Sequence, residues 1–232
     1  MKKSLIKDQY RNFKTIHPVL YFGFTLETLS KEIITLLTNQ YLSNKVKVVS
    51  YSQPIFFKEY SRQQASGIAF YRQMKKAIQS SAFKQVECID IASFYENIPT
   101  HLFDGKYFSP KISQILKGKT KYIDKLFTYC NSKSSKGIPT GPIYSCLYSE
   151  LILSFIDEEI SIGIPDDTAV QIYRFVDGYY ILSDGETHVK DLIIKTLATF
   201  QLQINEAKSA IFKPKDFDAN WQVEFKNYNR FR

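Results

Sequence analysis

Cysteine and histidine are scarce: Cys88, Cys130 and Cys146, with His17, His101 and His188, are scattered over 232 residues. Neither set has the close pairing of a zinc site. An odd, small cysteine number in a chain of this length argues against a disulfide framework and suits a reducing compartment, so a cytoplasmic protein is expected. No apolar stretch approaches the roughly 20 residues of a membrane span. The start, MKKSLIKDQYRNF, has two lysines but no continuous apolar region behind them. Neither export nor a membrane partner is expected. Glycine and proline, at nine and eight residues, nowhere gather into a linker, and there is no repeat or low-complexity tract. These absences leave one compact domain, or one with a small lobe.

What is abundant is positive charge and aromatic surface. The formal net charge is +8, 44% of residues are hydrophobic and 15% are aromatic. Basic surface attracts phosphate backbones without reading sequence, and exposed aromatic faces stack on unpaired bases. A polyanionic partner fits that combination. So does a solvated lysine-rich surface over an aromatic core, and composition alone does not separate the two.

Apolar spacing predicts helices over 26–42 and 61–79, with an extended segment at 46–52 between them. From residue 86 the pattern sharpens into strand (86–91), helix (143–160), strand (169–176), strand (179–183), helix (187–200) and strand (209–213), with a helical insertion around 119–131. That βαββαβ order predicts an α+β protein with a ferredoxin-like antiparallel sheet, in which the first strand lies beside the central hairpin. Asp90 and Asp177 then become neighbours.

Three segments carry candidate chemistry. Asp90 ends the apolar run VECID, where rigid structure aims a carboxylate over the sheet's edge; a helix N-cap explains the same residue. In KGIPTGPIYS, Gly137 and Gly141 permit close backbone approach, Pro139 and Pro142 stiffen the turn, and the following helix turns its N–H groups toward whatever binds. An ordinary loop before a helix is the alternative. In RFVDGYYIL, Asp177-Gly178 between apolar runs is a strong signal for a type I′ hairpin, and turn chemistry by itself accounts for Asp177. Asp166 and Asp167 read as a structural turn.

In their order, these segments resemble the reverse transcriptases. DIASFYENI resembles the first palm motif, GIPTGPIYS the Gly-rich second, FVDG the third, and LQINEAKSAIF the following Asn-x-x-Lys segment, over about residues 85–213. The resemblance implies fingers at 1–84, a polymerase palm at 85–213 and the start of a primer-grip segment at 214–232. It makes Asp90 and Asp177 catalytic ligands of Mg2+ (or Mn2+) and Tyr95 the aromatic gate against a 2′-hydroxyl. Gly141 and Ser145 line the nucleotide and template side, and Lys208 lies near the triphosphate. The implied activity is RNA-directed DNA polymerisation with dNTP as substrate and RNA or single-stranded DNA as partner. Among subfamilies, the bacterial abortive-infection and phage-defence enzymes are most similar, with retron and group II intron enzymes nearby.

Three departures from the pattern stand out. Gly178 replaces the second Asp of the third motif. Among triphosphate-gripping basic residues only Lys58 and Arg62 suggest themselves. The sequence ends at WQVEFKNYNRFR, near where a primer-gripping hairpin begins in the family, with no thumb recognisable and its function expected from a partner protein. The tail's Trp221, Phe225, Tyr228 and Phe231, interleaved with Lys226, Arg230 and Arg232, read either as a stacking platform or as a terminal strand packed on the palm. A catalytically degenerate nucleic-acid-binding module and a structural subunit are the alternatives to an enzyme.

Overall fold

A computed structural model of the chain describes residues 4–7, 14–17, 47–50, 62–80, 83–100, 128, 134, 136–140, 143–185 and 187–217. The expected helix at 26–42, most of the 119–131 insertion, Lys58, Gly141 and the aromatic tail lie outside these residues. The elements are β1 (Ser4–Lys7), β2 (Lys14–His17), β3 (Val48–Ser50), α1 (Arg62–Ser80), β4 (Gln85–Asp90), α2 (Phe94–Asn97), α3 (Ile143–Gly163), β5 (Val170–Phe175), β6 (Gly178–Ser183), α4 (Val189–Thr199) and β7 (Ala210–Phe212). Among the described residues no helix is long and apolar enough to cross a membrane.

The chain forms two compact units: 1–42, 92–155 and 197–203 make the first, and 43–91, 156–196 and 204–232 the second. Helix α3 contributes residues up to Phe155 to the first and from Ile156 to the second.

The second unit holds a five-stranded sheet of order β3-β5-β6-β4-β7. Strands β4, β5, β6 and β7, with α3 and α4 between them in sequence, follow the anticipated βαββαβ path, and their mutual pairings are antiparallel. The sheet as a whole is mixed, which corrects the all-antiparallel expectation, because β3 pairs with β5 in parallel. The sequence VKVVSYS marks an extended segment but not its neighbour. A parallel partner far along the chain is chosen by tertiary packing.

Alternation along the strands separates two faces. One carries Val86, Tyr173 and Leu182, which form a core with Phe217 and with Phe70, Met74 and Ala77 of α1. Those three α1 residues recur at helical spacing and are buried, while Arg72 and Lys76 are exposed, so the helix forms as an amphipathic element despite Gly67. Phe175 and Tyr180 pack on the same cluster, Phe70 lying 5.2 Å from the Phe175 ring and 5.0 Å from Tyr180. The opposite face buries Ile89, Ile172, Arg174, Tyr179 and Ile181.

The β5–β6 hairpin closes differently from its sequence signal. Phe175 pairs with Gly178, so the two loop residues are Val176 and Asp177 rather than Asp177 and Gly178. Val176 has φ 53°, whereas Gly178 is an ordinary strand residue without positive φ. Positive φ at the first loop residue alone is the pattern of a type II′ turn, where glycine is usual. A β-branched residue there costs about 1–3 kcal/mol. Hydrogen bonds to this turn from the Ile91 amide and the Arg174 guanidinium offset that local cost.

Candidate active site

Strand β4 delivers Asp90 to the sheet end at which the β5–β6 hairpin turns. Asp90 pairs with Gly178 across β4 and β6, and the Ile91 amide donates to the Asp177 carbonyl at 3.3 Å. The two carboxylate-bearing residues are thus tied together by backbone. Asp90 is not a helix cap: it ends the strand, and the N-cap of α2 is Ser93, in left-handed conformation and without a side-chain capping bond.

The 204–209 segment closes the other side of Asp90. Ile204 bridges Ile91, and the Asn205 amide donates to the Asp90 carbonyl at 2.7 Å. The Ser209 hydroxyl donates to the Asn205 carbonyl at 2.8 Å and accepts from the Asp90 amide at 3.4 Å. This turn brings Lys208 Nζ to 3.7 Å from Asp90 Oδ2, with 69% of the lysine side chain exposed.

Electrostatically the two aspartates are coupled. Burial pushes the Asp177 carboxyl above its ordinary value and the Asp90 charge adds to the rise, while a backbone hydrogen bond and the Lys208 and Arg174 cations oppose it. A divalent cation held between the two carboxylates would offset both causes of the rise. No group of three or more His, Cys, Asp or Glu residues suited to a metal occurs among the described residues. Two carboxylates nevertheless fit Mg2+, which keeps several waters and is completed by substrate phosphates.

Beneath the hairpin lies a charged cluster that sequence reasoning missed. Arg174 and Asp157, both fully buried, form a bidentate pair: Arg174 Nε donates to Oδ1 at 3.0 Å and Oδ2 at 2.8 Å, and Nη2 lies 2.8 Å from Oδ2. The Tyr179 hydroxyl donates to Asp157 Oδ1 at 2.9 Å, and Arg174 Nη1 donates to the Val176 carbonyl at 2.9 Å. The available signal was an arginine inside the apolar strand VQIYRF and an aspartate inside the apolar stretch LILSFID.

Gly178 has its own neighbour. A Cβ at this position meets the Tyr180 hydroxyl at 3.2 Å and the edge of its ring at 3.3 Å. The space beside Asp90 in which a second consecutive aspartate begins is therefore crowded by the Tyr180 phenol.

The first unit contains the remaining expected residues. The Gly-rich segment is stitched to the chain after Asp90: the Gly137 amide donates to the Ile98 carbonyl and the Ile138 amide to the Tyr95 carbonyl, both at 2.8 Å, while Pro99 and Lys136 form a bridge. Gly137 has φ 92°, a conformation that requires glycine. The Tyr95 hydroxyl is 3.1 Å from the Ser149 hydroxyl on α3 and also bonds Cys146, whose thiol is pushed up chiefly by burial. Ser145 is fully buried. Its hydroxyl has no hydrogen-bond partner among the described residues. Arg62 begins α1. The structure thus gathers Asp90, Asp177 and Lys208 in one unit and Tyr95, Ser145 and the Gly137 turn in the other.

Comparison with known proteins identifies the class. The family described as reverse transcriptase (RNA-dependent DNA polymerase) matches residues 23–226, and the chain belongs to that family. Among solved structures, apo telomerase from Candida tropicalis has a similar fold, with a TM-score of 0.53, 10% identity and 91% of this chain covered. The same telomerase truncated from its C-terminal domain gives 0.49, 11% and 91%. The chain spans 44% and 49% of those two chains. Among curated proteins none matches it.

Proposed function

We propose that the protein is an RNA-directed DNA polymerase that adds deoxynucleotides by two-metal phosphoryl transfer, Asp90 and Asp177 being the metal ligands. The observation that carries this reading is the backbone-tied pair of carboxylates at the end of β4 and the hairpin tip, one of them held above its ordinary pKa by burial and by the other's charge. In this reading 85–213 is the palm and the N-terminal part serves as fingers.

Two divalent ions supply charge stabilisation of an in-line displacement and activation of the attacking 3′-hydroxyl. The chain's own part is to hold one carboxylate on a strand end and the other at a hairpin tip tied to it by backbone, so that little reorganisation is needed when substrate arrives. Lys208, largely exposed beside Asp90, exchanges that partner for a substrate phosphate. In this reading Tyr95, whose hydroxyl is 3.1 Å from that of Ser149, is the gate against a 2′-hydroxyl. RNA or single-stranded DNA is the proposed partner, and phage defence the proposed biological use.

Incorporation of labelled dNTP by the purified protein, with and without co-purified RNA, tests this. Magnesium-dependent product is expected from the native chain and none from Asp90→Ala or Asp177→Asn. Near-native incorporation by either variant, or activity in chelator, removes the assignment. Gly178 favours a second reading, a binding module that has lost catalysis, since one acidic group is missing and Tyr180 crowds its place. An inactive native chain that binds nucleic acid in low salt selects it.

A further inference from the structure

The Arg174–Asp157 pair is more elaborate than core packing requires. A buried ion pair is often no more stabilising than apolar residues of equal volume. Here the arginine also reaches out of the pair, donating to the carbonyl of Val176. Val176 is the hairpin residue at φ 53°, and the next residue is Asp177. Its carbonyl belongs to the peptide unit that leads into Asp177, so its direction sets the start of the Asp177 backbone.

We propose that Arg174 is a positioning residue for the Asp90–Asp177 site: anchored on buried Asp157, it holds Val176 in the left-handed conformation and so fixes the Asp177 carboxylate relative to Asp90. The inference rests on the reading of Asp177 as a metal ligand. Three features support it. The anchor is rigid, because both Asp157 oxygens are engaged by Arg174 and Oδ1 also by Tyr179. The guanidinium is the only basic group whose planar fork serves two carboxylate oxygens and a carbonyl together, a task for which lysine lacks the geometry. The residue held is β-branched, so without the clamp the turn relaxes toward negative φ and turns the following carboxylate away.

The test uses the full chain and Mn2+ as probe, read by electron paramagnetic resonance, alongside the Mg2+ dependence of dNTP incorporation and the amide spectrum of residues 176–178. Arg174→Lys is expected to weaken Mn2+ binding about tenfold, the scale of outer-shell changes at metal sites, with thermal unfolding still cooperative. Adding Val176→Gly is expected to recover most of that loss, because glycine adopts positive φ without a clamp. A role for Arg174 confined to core stability predicts no such rescue. Native Mn2+ affinity in folded Arg174→Lys, or weak binding that Val176→Gly leaves unchanged, overturns the proposal. If Arg174→Lys does not fold, Tyr179→Phe keeps both charges and loosens only Asp157; a two- to threefold weaker affinity, about the effect of one lost outer hydrogen bond, is then expected, and no change overturns it. Asp177→Asn separates the two ideas. If it binds Mn2+ like the native chain, the site reading fails and the positioning role falls with it; if it loses Mn2+ and Arg174→Lys does not, only the positioning role fails.

Discussion

Two carboxylate–cation pairs flank Asp177, and they are built in opposite ways. Asp157–Arg174 is sealed on both sides at 2.8 Å, whereas Lys208 meets Asp90 at 3.7 Å with most of its side chain in solvent. A sealed bidentate pair cannot exchange partners without unfolding its surroundings, so it serves geometry. A loose pair at the surface contributes little to stability and is free to be replaced by another anion or cation. The same chemistry is therefore rigid and buried on one side of the hairpin and loose and solvent-exposed on the other.

The largest expected effect breaks the sealed pair. Asp157→Ala leaves Arg174 charged and uncompensated in the core and is expected to cost about 3–5 kcal/mol. Urea unfolding midpoints check this, with Asp90→Ala in parallel. Removing Asp90 takes away a half-buried charge from the loosely paired side, so its midpoint is expected to move far less.

Gly178→Asp comes next. The backbone accepts it, since φ is not positive there, but its Cβ presses on the Tyr180 phenol, which is held against Phe70 and Phe217 at ring distances of 5.0 and 6.0 Å. A loss of about 1–2 kcal/mol is expected from overpacking. Added negative charge beside Asp90 is expected to lower the Mg2+ needed for incorporation. Opposite movement of melting temperature and metal requirement confirms both halves.

A smaller, pH-dependent effect follows from Asp177. Its folded pKa is raised above the unfolded value, so the charged form opposes folding: stability is lost as pH rises through the unfolded and then the folded pKa, and the penalty vanishes below the ordinary carboxylate range. In chelator, Asp177→Asn is expected to melt higher than the native chain at neutral pH, with the gap closing on acidification. A gap that widens on acidification contradicts the assigned shift.

The smallest effect belongs to the exposed pair. Lys208→Met is expected to change stability by under about 1 kcal/mol while raising the apparent KM for dNTP. An equal loss of stability in Lys208→Met and Asp157→Ala erases the contrast between the two pairs.

How much of this was legible can be judged residue by residue. Asp90 and Asp177 stand out because each interrupts or ends an apolar run, and the βαββαβ periodicity alone puts β4 beside the β5–β6 hairpin. The bounds of β4, α3, β5, β6, α4 and β7 differ from the sequence reading by a few residues at most, whereas the short helix α2 had no counterpart in it. The turn was misread because Asp-Gly is a strong local signal, yet the Asp90–Gly178 register acts from elsewhere in the chain, as does Asp157, which anchors the arginine on the Val176 carbonyl.

By itself, then, the sequence determined what depends on local periodicity and composition: an α+β chain, the order of its βαββαβ elements from β4 on, and the carboxylate that ends β4. Only the tertiary structure decided the parallel edge strand β3, the register that sets the Val176–Asp177 hairpin tip, and the pairing of Arg174 with Asp157. Each of these is a contact between residues whose partners are chosen by packing and by the need to satisfy buried charge. Such a choice is made across the fold, where spacing along the chain carries no record of it.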